Sequence, residues 1–473
     1  MEDEREMAFY CNLERFGEKQ AAIQEDGKEV TYTELSNIQK ALQEVLPSRA
    51  LIFTLCTNTL GSFCAYVGSL GAGVVQLLLD AEMPEELLNN LIETYRPNYL
   101  FVPVDHANFK KSTAVYITNE YKLVECYAKD IVDLNPELAL LLTTSGSTGS
   151  PKLVRQSYKN IQANVESIVE YLELDETERP ITTLPMNYTY GLSIINSHLQ
   201  VGATMLLTTK TVLNKQFWDF AKAYSVTSFG GVPYTYEMLK KIKFNRIEIP
   251  TLRTMTQAGG KLSPELHKEF AEYALATGRH FVVMYGQTEA TARMAYLPHD
   301  KALEKYGSMG IAIPGGKLQL LNERNEVITE PDVMGELTYL GDNVTLGYAE
   351  VREDLSIGDE RQGCLITGDM AKMDKDGYFY IVGRKKRFLK LYGNRVNLDD
   401  LDAMIKRKYQ DLDMASTGDD TCLHVYITDD TLLGKVKEYI HSETGINPKA
   451  ISLHYMDKIP RNESGKILYK ELY

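Results

Sequence analysis

The 473-residue sequence has no apolar run long enough to suggest a membrane span. Its longest apolar stretch, Ser62–Leu79, is broken by Gly68, Gly71, Gly73 and Gln76. That stretch reads as a buried helix followed by a strand. The first six residues are mostly acidic and contain no apolar core, so no secretory leader is expected. Six cysteines (Cys11, Cys56, Cys64, Cys126, Cys364, Cys422) are scattered, with no Cys-x-x-Cys pair. This speaks against a disulfide frame or a zinc site and fits reduced thiols in a cytoplasmic protein. The eight histidines show no metal-ligand spacing either. Positive charge is not in excess. The formal net charge is −14, which argues against nucleic acid as a main partner. No Ser/His/Asp or Cys/His arrangement announces a protein nucleophile. Internal repeats and low-complexity segments are also absent.

What is present is alternation. Apolar strand-like runs (Leu51–Cys56, Tyr99–Val104, Thr204–Thr208, Ser225–Phe229, Thr254–Gln257, Phe281–Tyr285) are separated by segments with helical spacing. In one of these, Ser157 is an expected N-cap, and Ile161, Val165, Ile168, Val169 and Leu172 recur on one face. Such alternation predicts an α/β protein with layered, largely parallel sheets. After residue 310 the segments shorten and alternate apolar with polar residues (Lys317–Leu321, Gly335–Tyr339, Gly377–Val382), as in a small barrel-like antiparallel subdomain. A basic run, Arg384–Arg387, marks an expected boundary. Beyond it the pattern is α+β, with helices expected over Leu398–Tyr409 and Leu432–Thr444. From Arg387 onward there are 13 Lys and Arg against 14 Asp and Glu, so the first 386 residues hold nearly all the negative excess. Two domains, 1–385 and 386–473, are therefore expected.

Thr143–Lys152 reads Thr-Thr-Ser-Gly-Ser-Thr-Gly-Ser-Pro-Lys. Gly146 and Gly149 let backbone N–H groups converge, five hydroxyls (Thr143, Thr144, Ser145, Ser147, Thr148) add donors, and Lys152 adds charge. Such a loop suits a polyphosphate. It is not a Walker loop, because Pro151 parts the last Gly149-Ser150 from the lysine and no hydroxyl follows. Tyr285-Gly-Gln-Thr-Glu289 sits at the carboxyl end of an expected strand, where open α/β sheets bind ligands. Tyr285 offers a ring, and Thr288 with Glu289 offers hard oxygens for a phosphate and Mg²⁺. Thr367-Gly-Asp369 places a carboxylate that can accept both hydroxyls of a ribose. Arg384 and Arg395 follow, and Lys466 sits at a terminal Gly-Lys loop tip from which it can reach developing negative charge.

In order and at this spacing, these segments resemble the acyl-adenylate-forming (AMP-binding) superfamily: acyl-CoA synthetases, peptide-synthetase adenylation domains and luciferase-like enzymes. The resemblance extends to Ser308–Gly310 with Pro314-Gly315, Gly335-Glu-Leu, Gly347-Tyr348, Gly383-Arg384 and Pro460-Arg461, and covers essentially the whole chain. It implies that ATP and Mg²⁺ activate a carboxylic acid to an acyl-adenylate with loss of pyrophosphate. A thiol then takes the acyl group. CoA is the expected acceptor; the alternative is the phosphopantetheine of a separate carrier protein. It further implies that Thr144, Ser145, Gly146, Ser147, Thr148, Gly149 and Lys152 hold the β- and γ-phosphates. Gly259, Gly260, Tyr285 and Gly286 would border the adenine, Asp369 the ribose, and Arg384 and Arg395 the nucleotide. Thr288 and Glu289 would serve the phosphate and the metal. Lys466 would bridge the carboxylate and the α-phosphate. Tyr188, Tyr190, Gly230, Gly231 and Val232 would line the acyl pocket, and Lys386 would be the hinge of a small mobile C-terminal domain.

Three departures stand out against the family pattern. Tyr188, in Leu184-Pro-Met-Asn-Tyr-Thr-Tyr-Gly191, replaces the histidine of many CoA ligases. Lys386 stands where many members have aspartate. The segment from Lys386 to the end is shorter than usual. Two tyrosines and no clear charge point to a small or mid-sized acid, although Arg293, Met284 and Met294 lie close enough in sequence to change that.

Overall fold

A computed structural model describes residues 8–143, 152–391, 394–419, 421–461 and 467–472, the side chains of 390, 394 and 395 excepted. The chain divides into two compact units: residues up to 318 together with 339–365, and 319–338 together with 366 onward.

The first unit is built on two large sheets. One runs in the order Gly347–Ala349, Leu153–Ser157, Leu138–Thr143, Val75–Asp80, Leu51–Cys56, Tyr99–Pro103, Tyr121–Glu125, Ala114–Thr118. Its central strands are parallel and its flanks antiparallel. The other has a parallel centre of Pro180–Ile181, Met205–Leu207, Ser228–Gly231, Thr254–Gln257 and His280–Tyr285. These strands bury both faces, which is why they read as continuous apolar runs. Ser62–Leu79 resolves into a fully buried helix, Leu60–Gly71, and the strand Val75–Asp80. That helix can lie against Tyr32–Val45 because a Cβ on Gly68 would stand 2.9 Å from Ile38 Cγ2. The strand expected over Ser225–Phe229 is shifted to Ser228–Gly231, so Gly230 and Gly231 are strand residues.

Ser157 caps the helix Tyr158–Leu172 as expected. Its hydroxyl accepts from the Asn160 N–H at 3.0 Å, and Asn160 Oδ1 accepts from the Ser157 N–H at 2.9 Å. Asn160 Nδ2 also reaches the carbonyls of Asp342 and Val344 at 2.7 and 2.8 Å, so the cap doubles as a clamp on a distant loop. Ile161, Val165 and Ile168 are buried, each contributing about 1.5–3 kcal/mol.

The second unit contains most of a five-stranded sheet (Val327–Ile328, Lys317–Leu321, Gly335–Leu340, Cys364–Met373, Phe379–Arg384), whose strands the boundary between units cuts. Next come the hairpin Phe388–Leu391/Asn394–Asn397, the helix Leu398–Lys408, a sheet of Met414–Gly418, Leu423–Ile427 and Ile451–Tyr455, and the helix Leu433–Thr444. Leu398, Leu401, Ile405, Val425, Val436 and Ile440 share its core. The strand Met414–Gly418 was not foreseen, since Met-Ala-Ser-Thr-Gly carries no alternating apolar pattern.

Candidate active site

The strands Leu138–Thr143 and Leu153–Ser157, which flank the hydroxyl- and glycine-rich segment, pair antiparallel with Thr143 opposite Leu153. Thr144, Ser145, Gly146, Ser147, Thr148 and Gly149 lie outside the described residues; Lys152 is described. Leu153–Ser157 pairs on its other side with Gly347–Ala349, placing Tyr348 opposite Val154. Lys152 Nζ consequently lies 3.9 Å from the Tyr348 ring centroid and 3.3 Å from the Glu350 carboxylate. The Lys152–Glu350 pair is solvent-exposed and weak, so the ammonium is easily surrendered to a stronger anion. Arg361 also packs over the Tyr348 ring, at 4.5 Å.

Tyr348 connects this cationic pair to the second predicted motif. Its hydroxyl donates to Glu289 Oε1 at 2.7 Å. Burial, and then the Glu289 charge, push the Tyr348 phenol up to about 12, so it stays a donor. The Glu289 carbonyl accepts from Thr345 N–H (3.0 Å), Thr345 Oγ1 (3.0 Å) and Arg361 Nη1 (3.1 Å). Gln156 Nε2 reaches the Thr288 carbonyl at 3.4 Å. The short 3₁₀ turn Thr288–Ala290 is thus held by backbone contacts, leaving Glu289 Oε2 without a partner among the described residues.

The chain then reverses sharply. Thr291 and Ala292 have φ of 50° and 90°, a conformation that costs energy for residues other than glycine. Asn343 restrains this reversal, donating to the carbonyls of Ala290 and Arg293 at 2.8 Å each, while Thr291 Oγ1 donates to the Asn343 carbonyl. A Cβ on Gly286 would stand 1.5 Å from the Ala292 carbonyl oxygen, so only glycine fits there. The Tyr285 phenol accepts from Gln287 Nε2 at 3.2 Å, and the Tyr285 carbonyl accepts from Met294 N–H at 2.9 Å.

Tyr188, Tyr190, Gly230, Val232 and Gly259 come together. Gly259 has φ +80°, and a Cβ there would meet the Tyr188 hydroxyl at 2.5 Å and Val232 at 3.1 Å. Tyr190 bonds Thr256 Oγ1 at 2.9 Å, and its hydroxyl would stand 2.9 Å from a Cβ on Gly230. Gly231 faces Tyr236 and Thr235 instead, and a Cβ on Gly260 would meet only Pro233.

In the second unit, Asp369 and Arg384 are register partners, with Arg384 Nε 3.8 Å from Asp369 Oδ1. Within the strand Cys364–Met373, Thr367 Oγ1 accepts from the Asp369 N–H and donates to the Leu337 carbonyl, so the carboxylate is presented from a sheet strand. Lys386 is exposed between two anchors. Lys385 bonds Glu336 at 2.7 Å, and buried Arg387 bonds Asp399, Asp402 (2.7 Å) and the Ser416 carbonyl (3.0 Å). The Arg395 side chain and all of Lys466 lie outside what is described.

Sequence reasoning passed over Tyr348 and Arg361 as site residues. Tyr348 stood in a motif, but its role depends on strand pairing between segments nearly two hundred positions apart, which no local pattern signals.

The AMP-binding enzyme family matches residues 9–349. Curated relatives include an oxalate–CoA ligase of Arabidopsis thaliana, 31% identical over 59% of this chain and 54% of that protein. A peroxisomal OPC-8:0-CoA ligase of the same plant is 28% identical over 73% of this chain and 65% of its own length. A long-chain-fatty-acid–CoA ligase of Yersinia pestis is 28% identical over 72% and 62%. The chain thus aligns with less than two thirds of each of these relatives. Among solved structures, the o-succinylbenzoate CoA synthetase MenE of Bacillus subtilis superposes with a TM-score of 0.79, at 22% identity and 98% coverage of both chains. MatB of Rhodopseudomonas palustris gives 0.77 at 20% identity and 98% coverage of both. These structures share the fold of this chain. On the family match across most of its length, the chain belongs to the AMP-binding enzymes.

Proposed function

We propose that this protein uses ATP to activate a carboxylic acid as its acyl-adenylate, releasing pyrophosphate, and then passes the acyl group to CoA. The observation that carries this reading is the cluster at the sheet ends. Lys152, at the exit of the phosphate loop, Tyr348 and Glu289 form one contiguous set in a chain of this family. The relatives named after CoA ligases of oxalate, OPC-8:0 and long-chain fatty acids support the reaction class and leave the acid open.

A divalent ion fits the residues present. The partly buried Glu289 keeps one carboxylate oxygen without a partner among the described residues, Thr288 precedes it in the chain, and no group of three acidic, His or Cys ligands exists among the described residues. Mg²⁺ bound through one carboxylate and substrate phosphates suits such a site, and when bound it neutralises phosphate charge. Lys152 would grip the pyrophosphate end of ATP, and Tyr188, Gly259 and Val232 would separate the nucleotide from the acid. Asp369 would hold the ribose. Lys466 would stabilise charge as the carboxylate attacks the α-phosphorus. Anchors on either side of Lys386 support it as the hinge of a mobile 386–473 domain. No helix among the described residues is long and apolar enough to cross a membrane, and a cytoplasmic location is part of the proposal.

ATP–pyrophosphate exchange over a panel of fatty, aryl, hydroxy, amino and dicarboxylic acids tests the first step. Product mass with CoA or a phosphopantetheinylated carrier identifies the acceptor. No exchange with any acid would refute the reading.

A further inference from the structure

Among the described residues three arginines are buried, and the structure treats one of them differently. Arg155, 0% exposed, donates to the carbonyls of Tyr348, Ile357, Gly358 and Leu346 and to the Glu360 carboxylate. Arg387 is held by two aspartates and a carbonyl. Arg293, 1% exposed, has no carboxylate within ion-pair distance among the described residues. Its Nε and Nη2 share one acceptor, Ser193 Oγ, at 3.2 and 3.0 Å, its Nη1 meets the thioether of Met284, and the buried Tyr171 hydroxyl is its other polar neighbour. The Tyr190 ring lies under the guanidinium at 4.2 Å. A guanidinium has five donors, and a thioether is a weak acceptor. A buried charge met only by neutral groups is unfavourable until an anionic partner arrives.

Arg293 also lines a cavity of about 20 Å³ with His198, Ser197, Ser228, Thr254 and Thr256. His198 is 4% exposed. Its Nδ1 donates to the Ile194 carbonyl at 2.8 Å, so Nε2 carries the lone pair, and Nε2 has no partner. Burial, with the Arg293 charge adding to it, lowers the imidazole to about 4 and keeps it neutral at pH 7. Gly230 and Thr256, which line this cavity, also touch Tyr190. The cavity therefore abuts the acyl pocket proposed above. It has room for a water-sized group and none for a hydrocarbon tail.

We propose that the acid activated by this protein carries a second carboxylate, on a short tether, which Arg293 receives at the inner end of the acyl pocket. This rests on the acid-activating reading of the same site. One end of the acid faces the α-phosphate, and the other supplies the counter-charge that the fold omits. A monocarboxylic acid of equal length would leave the guanidinium buried and unpaired, which sets the direction of the discrimination.

The test compares short dicarboxylic acids with their monomethyl esters and with monocarboxylic acids of equal length, by kcat/KM in ATP–pyrophosphate exchange. The preference expected for the best diacid over its monoester is on the order of 100-fold or more. Arg293→Met should erase it, and Arg293→Lys should keep part of it. Equal or better use of monocarboxylic acids by the unaltered protein would overturn the proposal, as would an unchanged preference in a folded Arg293→Met protein. Should that variant not fold, the diacid-to-monoester ratio of the unaltered protein decides alone. Equilibrium binding of diacid and monoester, with a non-hydrolysable ATP analogue present, separates this inference from the reading beneath it. Selective diacid binding without exchange would refute acid activation and retain the carboxylate site; equal binding of both would refute the site.

Discussion

Tyr348 donates its hydroxyl to Glu289 across 2.7 Å while its ring carries Lys152 at 3.9 Å. One side chain thereby orients the carboxylate that would hold a metal and the cation that would hold a phosphate. Two strands far apart in sequence, Leu153–Ser157 and Gly347–Ala349, bring this about by pairing antiparallel.

Tyr348→Phe keeps the ring and removes the donor. The expected result is a 10- to 100-fold weaker apparent Mg²⁺ dependence constant in ATP–pyrophosphate exchange, by analogy with the loss of other metal-orienting hydrogen bonds. Thermal stability should change little, because the ring still packs under Lys152 and Arg361. A Mg²⁺ titration of both proteins measures this. An unchanged titration curve would show that the Tyr348–Glu289 bond does not serve the metal.

Gly286→Ala tests the reversal that follows the Glu289 turn. The new methyl would overlap the Ala292 carbonyl, 1.5 Å away, and the backbone there is already held at positive φ. Nothing flexible can yield, because Ala290 and Arg293 are pinned by Asn343. A loss of roughly 3 kcal/mol or more, read by chemical denaturation, is expected. Near-normal stability would mean that the reversal relaxes freely.

Much of this architecture was legible in the sequence. Strands at Thr254–Gln257 and Lys317–Leu321 fall where their patterns placed them, because buried parallel strands and half-exposed antiparallel ones leave distinct periodicities. The helix starting after Ser157 was legible from its cap. Met414–Gly418 was not, because its burial comes from its neighbours, Leu398 and Leu423–Ile427, and not from its own composition. Arg293 was legible only as a charge near the acyl pocket, and its burial was not. Its burial is set by Ser193 and Tyr190, a hundred residues earlier, and no spacing rule links them. Phosphate-loop residues 144–149 and Lys466 lie outside the described residues, so their roles stand on the motifs alone.

Lys466→Ala tests the role that the terminal Gly-Lys motif implies. It should reduce adenylate formation by several orders of magnitude while leaving thioester formation from a supplied acyl-adenylate largely intact. The two half-reactions are assayed separately, the first by pyrophosphate exchange and the second by thioester mass. Equal loss of both in a folded protein would remove the two-state role of the C-terminal domain.

The two units should respond to acid in opposite directions. In the first, burial lowers His198 and His267 to about 4, against about 6.5 in an unfolded chain. The folded state therefore binds fewer protons than the unfolded state between those values. Stability from each is complete above pH 6.5 and is lost as pH falls toward 4, to at most about 3 kcal/mol per histidine. In the second unit, burial raises Asp402 to about 6 even though Arg387 lies beside it. Here the folded state binds the extra proton, so stability is gained as pH falls through 6 toward 3.8. Hydrogen exchange resolved by peptide at pH 7 and pH 5 reads the two slopes separately. Protection around Leu192–Leu199 and Leu266–Ala274 should fall at the lower pH, and protection in the helix Leu398–Lys408 should rise. His267→Gln should flatten the first slope, since Gly307 N–H bonds His267 Nδ1 at 3.0 Å and Nε2 is buried without an acceptor. Asp402→Asn should abolish the second. Parallel slopes in the two units would show that these three buried groups do not govern the acid response.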